Sequence, residues 1–298
     1  MAPVPALSAE KNCSSSKKHK VVVILGSTGT GKTKLSIDLA IRFSGEIINS
    51  DKIHAQNGLD IASNRVTKAE AKGIPHHILE VVGSDADFTI QDFVTRVHDA
   101  IDHITSKPAG GCTLPIIVGC SNSYIEALVE GHYSDYFKSR IDPCFLWIDI
   151  DVPVLYRVVE ARVDRMIASG LLDEVRDALV EGRPRDVTKG VWRTIGFEEF
   201  QTYFKAVEMN HDEVTRKELF DVATKSMKER TCKLVDRQLG KIQRLRDVNG
   251  WDIHRIDATK VAVAMENNNG TELADSSWEE VVLKPSYQIV SKFLDGGN

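Results

Sequence analysis

The sequence has few cysteines and none spaced to work together. Five are present (Cys13, Cys112, Cys120, Cys144 and Cys232), an odd count without a CxxC pair. That pattern excludes a disulfide framework or a zinc module and points to a reducing compartment. No apolar run approaches the roughly 18–20 residues of a membrane span, so no membrane partner is expected. Internal repeats are absent, as are the biased compositions of collagen, coiled coil and disordered chains; 42% of the 298 residues are hydrophobic and 27% charged. Lys+Arg 38 against Asp+Glu 43 leave a formal charge of −5. This argues against a general nucleic-acid coat, although net charge conceals local patches.

What is present begins with a Pro-, Ala-, Ser- and Lys-rich segment, residues 1–19, which reads as a disordered leader without a secretory h-region. At Lys20 the character changes. The run Val21-Val22-Val23-Ile24-Leu25 reads as a strand buried on both faces of a parallel sheet. A helix follows over Lys32 to Phe43, with further strands at Glu46–Asn49, Pro115–Gly119 and Cys144–Ile150 and helices at Thr89–Ser106 and Ser121–Val129. After Pro153 the pattern is mostly helical: Val154–Ala168, Leu171–Val180, Val191–Tyr203 and about 213–246. Trp251–Ile256 alternates and returns as a late strand, 266–271 is a polar loop containing a formal glycosylation sequon, and Trp278–Leu294 includes a closing helix. The expected fold is α/β, a P-loop NTPase-like parallel sheet flanked by helices with an appended mostly helical region. The chain divides into a leader (1–19), a first core part (20–152), a helical substrate-covering region (153–250) and a return to the core (251–298).

Gly26-Ser27-Thr28-Gly29-Thr30-Gly31-Lys32-Thr33 matches GxxxxGK[ST] in full, after an apolar strand and before a helix. The glycines let backbone amides converge on phosphate oxygens at a helix N-terminus. Lys32 supplies a point charge and the Thr33 hydroxyl a ligand for Mg²⁺. The motif does not say which phosphate compound is held. A small-molecule kinase would use Asp149 or Asp151, at the end of the fourth strand, as its metal carboxylate. Asp51 lies just past the second strand, where ligands gather in such sheets; the plain alternative is a helix cap.

The resemblance that narrows these choices is spread along the chain. Gly26–Thr33, Ser50-Asp51 with Gly58–Ser63, Gly73–Leu79, Asp87-Phe88-Thr89, Ile117–Ile125, Trp192-Arg193-Thr194-Ile195-Gly196-Phe197 and Arg237-Gln238 stand in one order over about 20–246. Together they resemble the isopentenyltransferase family, which moves a dimethylallyl group from dimethylallyl diphosphate to N6 of adenine. One branch modifies tRNA and another free AMP, ADP or ATP, the first step of cytokinin biosynthesis. Asp51 is followed by Lys52-Ile53-His54 rather than a Ser-x-Gln-x-Tyr sequence, the third block reads Gly119-Cys120-Ser121, and no C-terminal Cys/His zinc module is present. These departures resemble the free-nucleotide branch, and most of all the plant adenylate isopentenyltransferases.

The resemblance implies a phosphate loop that holds the prenyl donor's diphosphate while the nucleotide is acceptor. It casts Asp51 as the base that takes the N6 proton and Thr28 as hydrogen-bond donor to the oxygen bridging carbon and phosphate. Gly26, Ser27, Gly29, Thr30, Gly31, Lys32 and Thr33, with Arg140 and Arg193, would bind the donor diphosphate. Ser121, Lys189, Arg237, Lys241 and Arg244, with Asp51, would bind the acceptor. Arg230, Lys233, Arg237, Lys241 and Arg244 recur at helical spacing in a segment, 216–246, holding ten Lys/Arg against four Asp/Glu; the plain alternative is a solvated charged face. Mg²⁺ is the expected cofactor. The expected partners are the two small-molecule substrates, with tRNA only under the other branch, on a monomer in plastid or cytoplasm. His76-His77, with no carboxylate or cysteine at ligand spacing, reads as structural at a bend after Pro75, and Cys120 as a packed residue rather than a nucleophile.

Overall fold

The computed structural model describes residues 18–107, 113–180, 186–266 and 270–296. Most of the leader (1–17) and the middle of the polar loop (267–269) therefore lie outside the described residues. The first strand, β1 (His19–Leu25), takes the centre of a six-stranded sheet because Val21 to Leu25 are wholly buried, leaving neither face for solvent. Helix α1 (Lys32–Phe43) follows the phosphate loop and leads into β2 (Glu46–Asn49). A single helical turn, α2 (Asp60–Ser63), precedes a two-residue edge strand, β3 (His76–His77). Helix α3 (Ile90–Thr105) starts at a capping box in which Thr89 and Asp92 satisfy each other's backbone amides. Then come β4 (Pro115–Val118), α4 (Asn122–Glu130), α5 (Ser134–Arg140) and β5 (Ile141–Asp149).

The helical region consists of α6 (Val152–Ala168), α7 (Leu171–Val180), α8 (Gln201–Glu208) and α9 (Glu213–Asp247). The last strand, β6 (Ile253–Asp257), joins the sheet beside β5. Helices α10 (Thr259–Glu266), α11 (Gly270–Trp278) and α12 (Lys284–Leu294) close the chain, the last two joined by a π-helical turn over Glu279–Leu283.

All pairings are parallel, in the order β3-β2-β4-β1-β5-β6. The carboxyl ends of β1, β2 and β4 therefore share one edge, and the segments that follow them converge there. Two apolar clusters flank this edge. The larger is the sheet core; the smaller gathers Val163, Met166, Leu171, Val175, Phe197, Phe200 and Met227 from the helical region. Helix α9, 35 residues and roughly 50 Å long at 1.5 Å per residue, belongs to both. Ala223 and Met227 pack in the smaller cluster, while Val235, Leu239, Ile242 and Leu245 pack in the sheet core. Its middle is thereby laid across the carboxyl edge.

Two expected elements differ. The helix expected over Val191–Tyr203 is instead a 3₁₀ turn (Gly190–Arg193), a run of turns, and then α8. Gly196 adopts φ 110°, outside helical space, and its amide is taken by the Glu199 carboxylate at 2.8 Å. His76-His77 is an edge strand rather than a bend, pairing with Ile47 and Ile48.

Candidate active site

The carboxyl edge of the sheet and the middle of α9 enclose a cleft of about 890 Å³. Thr28, Gly29, Gly31, Lys32 and Thr33 line it from the phosphate loop, with Ser27 wholly buried behind them. Gly29, at φ 88°, backs onto α6 so closely that a Cβ would meet a Val159 methyl at 2.7 Å. The Lys32 ammonium curls over the loop and donates to the Ser27 carbonyl at 2.6 Å. Helix α1 begins at Gly31 without a side-chain cap, so its first amides are not taken up by a side chain there.

Asp51 enters the cleft from the segment after β2. Its Oδ1 accepts from the Ile53 amide at 2.9 Å, and no protein group among the described residues is bonded to Oδ2. It caps no helix in the structure, since the next one begins only at Asp60. From the segment after β4, Ser121 Oγ accepts the Lys52 amide at 3.0 Å and lines the cleft. Gly119 passes so close behind that a Cβ would stand 2.5 Å from the Asp51 nitrogen.

The charge of the cleft is one-sided. Among the described residues, Lys32, Lys52, Arg162, Arg165, Arg193, Arg230, Arg237 and Lys241 line it, against a single carboxylate, Asp51. Helix α9 brings Arg230, Arg237 and Lys241 together at the cleft, as the helical stripe implies. Arg230 is neutralised by Glu198 and Glu199 (2.6 and 2.7 Å), and Lys241 by Glu126. Lys32, Lys52, Arg162, Arg193 and Arg237 have no carboxylate at ion-pair distance among the described residues. Burial and the neighbouring Arg193 pull the Lys52 ammonium below its ordinary value, against the pull of Asp87. Cations held this close without a counter-charge make a site for phosphates.

Of the expected phosphate ligands, Gly26, Ser27 and Thr30 of the loop stand behind the cleft lining, and three of the expected cations are not in it. Arg140 is a correction: it ends α5 at the amino end of β5, beside the start of β1, roughly 20 Å of strand from the loop. There it stacks over Tyr136 and faces Asp102. Lys189 is mostly exposed, with its ammonium 4.0 Å from Asp186. Arg244 spends its charge on Glu126, whose carboxyl is pushed up by burial but held down, on balance, by hydrogen bonds from Lys241 and Arg244. The kinase alternative loses its metal carboxylate: Asp149 is buried against Arg255 at 2.8 Å, and neither it nor Asp151 lines the cleft.

Two residues that sequence reasoning did not single out organise the loop. Gln238 Oε1 accepts from the Thr28 amide (2.8 Å) and from Ser27 Oγ (3.1 Å), and its Nε2 donates to the Cys120 carbonyl (3.4 Å). Arg162, on α6, donates from Nη1 to Thr28 Oγ1 at 2.8 Å, and its buried Nε has no partner. Burial lowers this guanidinium's pKa, with Cys120 and Asp51 opposing the shift. Gln238 carried a signal, standing beside Arg237 in the family-like segment; Arg162 sits in an amphipathic helix like any solvated arginine. Burial pushes the Cys120 thiol up against the pull of Lys32, which leaves it a protonated, packed group. His76 lines the cleft, while His77 Nε2 meets Glu46 at 2.8 Å, a carboxylate distant in sequence.

A parallel sheet with a phosphate loop, a carboxylate across from it and a helix of cations over both defines a P-loop group-transfer enzyme. The sequence matches the IPP transferase family over residues 56–140 and 132–244. Adenylate isopentenyltransferase 3 of Arabidopsis thaliana, named chloroplastic, is 43% identical over 93% of this chain and 80% of its own. The mitochondrial adenylate isopentenyltransferase 7 of the same plant is 43% identical over 94% and 82%. The chain belongs to the IPP transferase family. Among solved structures, a eukaryotic dimethylallyltransferase acting on tRNA shares the fold with a TM-score of 0.75 at 24% identity, covering 94% of this chain and 81% of that one. A Staphylococcus epidermidis tRNA isopentenylpyrophosphate transferase shares it at 0.63, also at 24% identity, covering 80% and 93%.

Proposed function

We propose that this enzyme transfers the dimethylallyl group of dimethylallyl diphosphate to N6 of the adenine of ATP, ADP or AMP, releasing diphosphate in the first step of cytokinin biosynthesis. The observation that carries the reading is Asp51, the single carboxylate among the described residues of a cleft that eight of their Lys and Arg line. Both substrates are polyanions, and the chemistry between them needs one base. The N6 amine is a weak nucleophile because its lone pair is delocalised into the ring. As N6 bonds to the allylic carbon and the carbon–oxygen bond breaks, N6 must shed a proton, and Asp51 is placed to take it.

The leaving diphosphate gains charge in the same step. Lys32, the loop amides and Arg193 supply preorganised positive charge there. Thr28 Oγ accepts from Arg162, so its own proton is free to point at the bridging oxygen. Among the described residues no cluster of His, Cys, Asp or Glu could hold a metal by itself. Mg²⁺ would therefore be held by the Thr33 hydroxyl, which lines the cleft, together with phosphate oxygens, a sparse ligand set that suits this ion. Bound there, it would neutralise diphosphate charge. Arg237 and Lys241 are assigned to the acceptor's phosphates; Lys189 and Arg244 are not. An allylic cation-like transition state also calls for exclusion of water, and α9 covers the loop through Gln238.

The relatives' names include chloroplastic and mitochondrial forms, and plastid or cytoplasm is proposed here, with the chain acting as a monomer. No helix among the described residues is long and apolar enough to cross a membrane. The second reading is prenyl transfer to tRNA, favoured by the fold shared with tRNA enzymes. Asp51→Ala tests the base assignment: turnover is expected to fall 10²–10⁴-fold with ATP affinity retained. Undiminished turnover would refute it.

A further inference from the structure

The carboxylate proposed as base sits on irregular backbone, two residues beyond the last pair of the β2–β4 ladder, Asn49 with Val118. After the Ser50 amide bonds the Val118 carbonyl, the ladder offers Asp51 nothing. Asn49 fills the gap. Its side chain is buried, its Oδ1 accepts from the Asp51 amide at 3.0 Å, and its Nδ2 donates to the Asp51 carbonyl at 2.9 Å. Both backbone groups of one residue are thus taken by one carboxamide, which fixes the peptide planes on either side of the Asp51 Cα.

The same Nδ2 donates at 3.0 Å to the carbonyl of Ile78, just beyond β3. Ile78 is buried and holds φ at 63°, a left-handed conformation that a β-branched residue rarely takes. Strain of this kind persists where surrounding structure imposes it, and it gathers at functional sites. At Ile78 it turns the carbonyl towards the Asn49 amide, tying the base segment to the sheet edge.

We propose that Asn49 is a positioning residue for Asp51, setting the direction in which the carboxylate meets the acceptor amine. Asn49 borders the cleft, but its carboxamide is taken up by the backbone of Asp51 and Ile78 and is assigned no substrate contact, so its effect is transmitted through the Asp51 backbone. Asparagine suits the task because one planar group carries both the acceptor and the donor. Aspartate would keep the oxygen that accepts the Asp51 amide but lose both donations.

The inference rests on the prenyl-transfer reading, and the test separates the two. Wild-type protein, Asn49→Ala and the near-isosteric Asn49→Asp are assayed with dimethylallyl diphosphate, Mg²⁺ and ATP, with ATP-binding sites titrated in each. If wild type makes no prenylated product from ATP, the functional reading fails. With wild type active, both variants are expected to lose kcat on the order of 10- to 100-fold, the scale of an ångström of misplacement. KM for both substrates and the fraction of ATP-binding sites should stay within about threefold, a split that a general loosening of the fold would not produce. Should Asn49→Ala not fold, Asn49→Asp decides alone. Either folded variant with kcat within about twofold of wild type overturns the proposal. So does a kcat loss matched by an equal loss of ATP-binding sites.

Discussion

At the scale of single residues, the most informative atom in the cleft is the Thr28 hydroxyl. A hydroxyl that accepts from a guanidinium has one role left, to donate, and Arg162 enforces that role from a partly buried position beside the loop. Burying a cation without a carboxylate partner costs stability, so Arg162 is poorly explained by folding alone. Arg162→Met is expected to leave the melting temperature within a few degrees of wild type or raise it. Its kcat should fall on the order of 10²-fold, the usual effect of losing one well-aimed group at a developing negative charge. Calorimetric melting and steady-state kinetics on the same preparation check both halves. A large fall in melting temperature with unchanged kcat would make Arg162 structural.

At the scale of elements, the edge of the sheet furthest from β6 is held by charge. Glu46 begins β2 with its carboxylate buried between His77 of β3 and Lys107 beyond α3. Burial pushes the Glu46 carboxyl up, but the hydrogen bonds from Lys107 and His77 outweigh it, and its pKa ends below the ordinary value. A carboxyl whose pKa is depressed by folding stabilises the fold above its unfolded value and loses that contribution as pH falls through the folded one. Glu46 therefore contributes above about pH 4.5 and drops out below. Lys107→Met should move the midpoint of acid unfolding, followed by circular dichroism, to higher pH. An unmoved midpoint would show that the Lys107 contact contributes nothing to this edge. Elements differed in how plainly they could be read. The buried run Val21–Leu25 and the period of Lys32–Phe43 announce themselves because burial on both faces, or on one, leaves a pattern in residue type. The turns after Arg193 leave none; they depend on the Gly196 amide finding Glu199, a contact that helical periodicity does not reveal.

At the scale of the whole molecule, a chain of net charge −5 collects, among its described residues, eight cations around one carboxylate. Helix α9 makes this possible by rooting one half in each apolar cluster and laying Arg237, Gln238 and Lys241 over the phosphate loop. The loop, Asp51 and Ser121 were legible from sequence because each follows a recognisable strand, and parallel strands deliver such segments to one edge. Arg140 was misplaced for the complementary reason, since it precedes its strand and so falls at the other end of the sheet. Arg162, Gln238 and Asn49 act through hydrogen bonds to backbone or hydroxyl groups remote in sequence or outside any regular pattern, which residue type alone does not disclose. The central claim is tested by incubating the protein with dimethylallyl diphosphate and Mg²⁺, offering ATP, ADP, AMP and unmodified tRNA in parallel, and detecting prenylated adenine by mass spectrometry. The expected result is N6-dimethylallyl nucleotide from at least one free nucleotide and none in tRNA. Product in tRNA alone, or in no acceptor, would contradict it.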